Sequence, residues 1–258
     1  MTSAEHPAKS GGRVYDLRAV VSHRYRFVYV PVPKSGSTTM DRVLRVIHGI
    51  EDAGYRLDTD RAVRYTIGRK AAADVETLHV PIGYVRRFRH QFKDYAWISV
   101  VRNPYDRLVS MYNYDVRRYA KHFDLKAYLY AGLFKRAAFV LGRDPREAQR
   151  NTIRRRIGFD KFVQGLERNG TDFDIHFMRQ TDILFYDLVT YDRLIDVDRL
   201  SSDLPILLGK LGVQDDVVER LSPLPRSNPS RPSDASYDEP TRTLAYRLYQ
   251  PDFAVLSG

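Results

Sequence analysis

The chain has 258 residues, 43% of them hydrophobic, and a formal net charge of +10 from 42 basic and 32 acidic side chains. That is enough to bury a full core, as one domain or one domain with a helical insertion. With no cysteine there is no disulfide, thiolate nucleophile or cysteine zinc site, and no uniformly apolar stretch is long enough to cross a bilayer.

Met1 to Arg13 is polar and lacks the apolar core of a signal peptide. Residues 1–23 are expected to be a flexible tail ahead of a single domain over 24–258, and the cysteine-free composition fits a reducing cytoplasm. Tyr25 to Met40 reads YRFVYVPVPKSGSTTM. The spacing predicts a strand over Arg24–Val30, a turn through Pro33, Lys34, Ser35, Gly36, Ser37, Thr38 and Thr39, and then a helix. Met40, Val43, Leu44 and Ile47 recur on that helix at i, i+3, i+4 and i+7, the stripe of a core face. A Gly- and hydroxyl-rich turn between strand and helix aims backbone N–H groups at one point, where the helix dipole adds positive potential. That makes an anion cradle. The phosphate loop GxxxxGK[ST] puts Lys after its last Gly, whereas Lys34 precedes Gly36 here, so a γ-phosphate and metal clamp fits poorly.

Residues 49–74 have no decisive pattern. ETLHVPIGY follows, with Glu76 one helical turn from His79 if the segment is helical. Tyr95 to Val101, YAWISVV, reads as a buried parallel strand bounded by Arg102-Asn103-Pro104. Asn103 suits an N-cap, Pro104 the first helical turn, and Asp106 the positive end of the dipole. Arg102 stands at this second strand-to-helix junction, able to offer a planar fork of donors to a phosphate, and Ser110 lies two turns along the helix. Spacing alone does not bring Arg102 and Ser110 to one ligand. A largely helical region is expected at about 115–170, interrupted near Gly142–Pro145 and at Gly158. Ser222 to Pro240 is a Ser/Pro-rich loop, of a length often used as a lid, that carries Arg226, Ser227 and Arg231. The basic clusters Arg86-Arg87, Arg117-Arg118, Lys135-Arg136 and Arg154-Arg155-Arg156 favour polyanions, but no helix-turn-helix, zinc-finger or RNA-binding signature accompanies them, so nucleic acid is not the expected partner.

PKSGSTT resembles the 5′-phosphosulfate loop of sulfotransferases that use 3′-phosphoadenosine 5′-phosphosulfate (PAPS), and RNPYDRLVSMY resembles their 3′-phosphate segment. Asp174 to Asp198, with its His-Phe-x-x-Gln element, and the tail YRLYQPDFAVL are similar to stretches of carbohydrate sulfotransferases and their bacterial relatives. Two motifs in order, each at a strand-to-helix junction, are far more specific than either alone. The resemblance implies an α/β fold with a central, mostly parallel sheet flanked by helices, the P-loop NTPase-like sulfotransferase fold. It implies transfer of the PAPS sulfuryl group to a hydroxyl of a carbohydrate or glycoconjugate, with no metal required. Lys34, Ser35, Gly36, Ser37, Thr38 and Thr39 would hold the 5′ end, Lys34 also acting in catalysis, and Arg102 and Ser110 would hold the 3′-phosphate. His79 is the preferred general base, because it lies between the two loops where related enzymes place theirs. Glu76 is expected to orient His79 or replace it. His176 is the alternative base and is expected to shape the acceptor side. Arg179 stands where many relatives carry Pro, and the cysteines of animal Golgi members are absent; both departures concern the acceptor. A P-loop kinase or other nucleotide-binding enzyme and a noncatalytic polyanion-binding module are the competing readings.

Overall fold

The apolar runs ending at Val30 and Val101 become neighbouring parallel strands, and both cradle motifs therefore leave the same edge of one sheet. The computed structural model describes residues 16–49, 74–115, 120, 124–221 and 235–256, which fall into two compact units. The first contains described residues 16–102 and 180–221, and the second 103–179 and 235–256.

The sheet of the first unit comprises β1 (Leu17–Ser22), β2 (Phe27–Val30), β3 (Val75–Val80), β4 (Ala96–Val101) and β5 (Arg193–Asp196), in the order β3-β1-β2-β4-β5. β2, β4 and β5 pair in parallel, while β1 pairs antiparallel with both β2 and β3. Four strands therefore run one way and β1 runs against them. β4 reads AWISVV without alternation because it is central and covered on both faces; Trp97 is fully buried, its indole N–H donating to the Phe92 carbonyl at 3.0 Å. Helix α1 (Ser37–Ile47) lays Met40, Val43, Leu44 and Ile47 into the core beside Phe27, Tyr29 and Ile98, so the predicted stripe is the buried face. Helix α2 (Val85–Gln91) precedes β4.

Two expectations are corrected. Leu17–Ser22, assigned to the tail, is a buried strand, because its apolar run closes a ladder on both sides at once. Val75–Val80, read as a conditional helix, is a strand whose six residues pair from Val75 opposite Ser22 to Val80 opposite Leu17. β2, the strand that leads into the Gly36 turn, forms as expected but starts at Phe27 instead of Arg24.

His48, just past the end of α1, is buried and edges onto the Tyr25 ring at 5.5 Å between centroids. Burial holds its imidazole below the ordinary histidine value, against the opposing pull of Asp74, whose Oδ1 lies 3.4 Å from Nδ1. A histidine kept neutral in the fold takes up a proton more readily when unfolded, so its contribution to stability is present above about pH 6.5 and is lost as pH falls below it. Urea titrations from pH 7.5 to 5 should show this loss, and His48→Gln should flatten it.

The second unit is helical: α3 (Pro104–Asp115), α4 (Leu125–Val140), α5 (Pro145–Arg156), α6 (Phe159–Asn169) and α10 (Glu239–Leu256). The breaks at 141–144 and 157–158 fall where Gly142–Pro145 and Gly158 were expected to interrupt the helices. Asp144 caps α5 by accepting from the Arg146 N–H at 2.8 Å. Phe162, Phe177, Leu108, Ile153 and Tyr249 fill its core. α10 is kinked at Tyr249 because Pro251 brings no N–H and its ring crowds the preceding turn. In the first unit, α7 (Gln180–Ile183), α8 (Leu200–Lys210) and α9 (Asp215–Arg220) complete the helices among the described residues.

Candidate functional site

β2 ends at Val30, and the chain turns at Pro33–Gly36 before α1 begins. Two residues take left-handed backbone there: Lys34 at φ 68° and Gly36 at φ 76°. For Lys34 this costs about 1–2 kcal/mol, strain of the kind held where a turn must point a side chain and its amides one way. Gly36 is required for space as well as for φ: a Cβ would come 3.1 Å from Val197 Cγ2 and 3.4 Å from Leu200 Cδ2. Gly36 is also the N-cap of α1, and no side chain caps that helix. The first turn, Ser37-Thr38-Thr39, thus opens an 11-residue helix with its positive dipole end beside the half-buried Lys34.

Arg102 leaves the end of β4, the strand next to β2, and is half-buried. Its guanidinium reaches back to the Lys34 carbonyl at 3.4 Å. The two loops also share one side chain. Gln180, 2% exposed, accepts through Oε1 from the Ser35 hydroxyl at 3.1 Å and from the Arg102 N–H at 2.9 Å, while its Nε2 donates to the Arg102 carbonyl at 2.8 Å. In the sequence Gln180 is visible only as the glutamine that closes the His-Phe-x-x-Gln element, without its partners.

In the second unit, Asn103 accepts from the Tyr105 N–H at 3.0 Å, as its N-cap reading required. Ser110 is half-buried on α3. Arg107, one residue past the acidic Asp106, is fully buried and donates to the carbonyls of Met178 at 2.7 Å and His176 at 3.3 Å. The Tyr249 hydroxyl donates to the Phe177 carbonyl at 2.7 Å, and burial pushes that phenol far above its ordinary value. Arg179, the departure from the family pattern, donates through Nε to the Leu248 carbonyl at 2.8 Å, beside the kink in α10. The His176 Nδ1 lies 2.6 Å from Asp174 Oδ1, which fixes the ring and leaves Nε2 as the nitrogen able to act.

His79 is exposed, next to the last residue of β3. β3 runs in the same direction as β2 and β4, so His79 lies at the loop-bearing edge of the sheet, two strand spacings or roughly 10 Å from β2. Glu76 is three residues earlier on a strand and faces the other way; its carboxylate lies 3.2 Å from the His23 Nε2. The expectation that Glu76 orients His79 rested on a helix and does not hold. Arg226, Ser227 and Arg231 lie outside the described residues. Among the described residues, no cluster of side chains suited to a metal ion is present, and no helix is long and apolar enough to cross a membrane.

Residues 17–257 match the family model described as the sulfotransferase family. No curated protein and no solved structure matches the chain.

Proposed function

Because the chain belongs to the sulfotransferase family, we propose that it moves the sulfuryl group of PAPS to a hydroxyl of a carbohydrate or glycoconjugate. What supports PAPS as donor is the pairing of an uncapped helix N-terminus at Gly36 with Arg102 at the neighbouring strand end, both tied to Gln180. These residues fit a nucleotide with anionic groups at both its 5′ and 3′ positions: a dipole and amides for one, a guanidinium fork for the other. Bound there, PAPS would supply the sulfuryl group.

In this reading Gly36, Ser37, Thr38 and Thr39 hold the 5′ end, Ser35 supports the turn from behind through Gln180 and does not meet the ligand, Arg102 holds the 3′-phosphate, and the family motif assigns Ser110 to that phosphate as well. Transfer breaks the bond from sulfur to the 5′-phosphate oxygen and forms one from sulfur to the acceptor oxygen, in line, by analogy with phosphoryl transfer through a loose transition state. Lys34 neutralises the charge that grows on the departing oxygen. His79 takes the acceptor's proton as general base. His176 shapes the acceptor side, and Arg226, Ser227 and Arg231 close over the nucleotide. A sulfuryl group carries less charge than a terminal phosphate, so no metal is assigned to the site. A cytoplasmic location belongs to the same proposal.

Incubation with labelled PAPS and panels of glycans, lipids and phenols tests the acceptor class, and label transfer to glycans alone is the expected result. Adenosine 3′,5′-bisphosphate should raise the melting temperature in EDTA. Arg102→Ala should weaken its binding about 10- to 100-fold, as loss of charge-assisted hydrogen bonds of about 1.5–3 kcal/mol implies. Stabilisation by ATP with Mg²⁺ in its place would favour a kinase.

A further inference from the structure

We infer that Gln180 is a positioning residue that holds the Gly36 turn and the Arg102 backbone at the separation of one bisphosphorylated nucleoside, so that the two ends of the donor bind as a chelate. The inference rests on the donor proposed above.

The Gln180 amide is buried and bonds to Ser35 in one loop and to Arg102 in the other. Oε1 receives the Ser35 hydroxyl from the turn and the Arg102 N–H from the end of β4; Nε2 closes a two-point clasp on Arg102 by donating to its carbonyl. Ser35 is itself fully buried, so its hydroxyl faces the protein and not the ligand. The β2–β4 ladder pairs the two strands as far as Val30 with Ser99, and the Gly36 turn and Arg102 lie past that rung. Past that rung the Gln180 amide bonds to both loops, and the Arg102 guanidinium makes a longer contact with the Lys34 carbonyl. A buried amide with its oxygen and nitrogen both engaged cannot change register without stranding a polar atom.

Two anion sites held at fixed spacing turn the second contact into an intramolecular event, a gain that can reach ~10²- to 10⁴-fold without any new contact. A residue that sets the spacing, and touches neither anion, should govern that gain and little else. Calorimetric titration with adenosine 3′,5′-bisphosphate, adenosine 5′-monophosphate and adenosine 3′-monophosphate separates the terms. For wild type, the bisphosphate should bind far more tightly than either monophosphate. In Gln180→Ala the bisphosphate should lose about 10- to 100-fold, roughly half of the chelate gain in free energy, while each monophosphate changes less than about threefold. Gln180→Glu keeps the shape and the Oε1 acceptor but replaces the donor facing the Arg102 carbonyl, and it should give the same pattern if the alanine variant does not fold.

If all three ligands weaken by the same factor, Gln180 is merely structural and the inference fails. It fails equally if the bisphosphate advantage survives in both variants. A wild-type protein with no preference for the bisphosphate overturns the donor assignment itself, an outcome recognisable before any variant is made.

Discussion

Lys34→Ala is expected to transfer sulfuryl groups about 10²- to 10³-fold more slowly than wild type, the usual consequence of removing one preorganised charge-stabilising donor. The larger part of the loss should appear in kcat, because the charge that Lys34 meets develops only as the bond to the 5′-phosphate oxygen breaks. The backbone gives this variant a clean reading. Lys34 sits at φ 68°, and alanine carries the same Cβ into that left-handed conformation, so the turn is no more strained than before. The Lys34 carbonyl that accepts from Arg102 is also retained. Rates under saturating PAPS would measure the effect, and a kcat within threefold of wild type would remove Lys34 from the chemistry while leaving it as a binding residue.

His79→Ala should cost more, about 10²- to 10⁴-fold in kcat, as expected for a positioned general base. The imidazole is exposed at the edge of the sheet from which both loops leave, so an acceptor hydroxyl can approach it from solvent. Glu76→Gln is the matched control: its carboxylate lies three residues down the strand, on the opposite face and against His23, and its loss should leave kcat nearly unchanged. If Glu76→Gln were the slower enzyme, or His79→Ala ran near the wild-type rate, the base would have to be reassigned, with His176 and its Asp174 partner next in line.

The two loops were legible because each is a sentence of local grammar. An apolar run stops, a residue able to take the turn follows, and a capping pattern starts a helix; Asn103 and the Met40-to-Ile47 stripe needed no knowledge of distant residues. β1 and β3 were not legible for the converse reason. LRAVVS follows a polar stretch, and VETLHV carries a glutamate and a histidine that suit either period; each becomes a strand only by pairing with the other across more than 50 residues of sequence, Ser22 opposite Val75 and Leu17 opposite Val80. Gln180 belongs to a third kind. Its motif was visible, but its partners Ser35 and Arg102 lie 145 and 78 residues away, a relation that only the folded chain states. The buried Arg107 is similar: on sequence it is one more basic residue of an arginine-rich chain, yet it gathers the carbonyls of His176 and Met178.

A crystal structure with adenosine 3′,5′-bisphosphate bound tests the central claim most directly. The account predicts the 5′-phosphate on the amides of the turn at Gly36 and the first turn of α1, and the 3′-phosphate on the Arg102 guanidinium, with the Gln180 amide still joining the two loops. A ligand held elsewhere, or one whose 3′-phosphate lies free of Arg102, would contradict it.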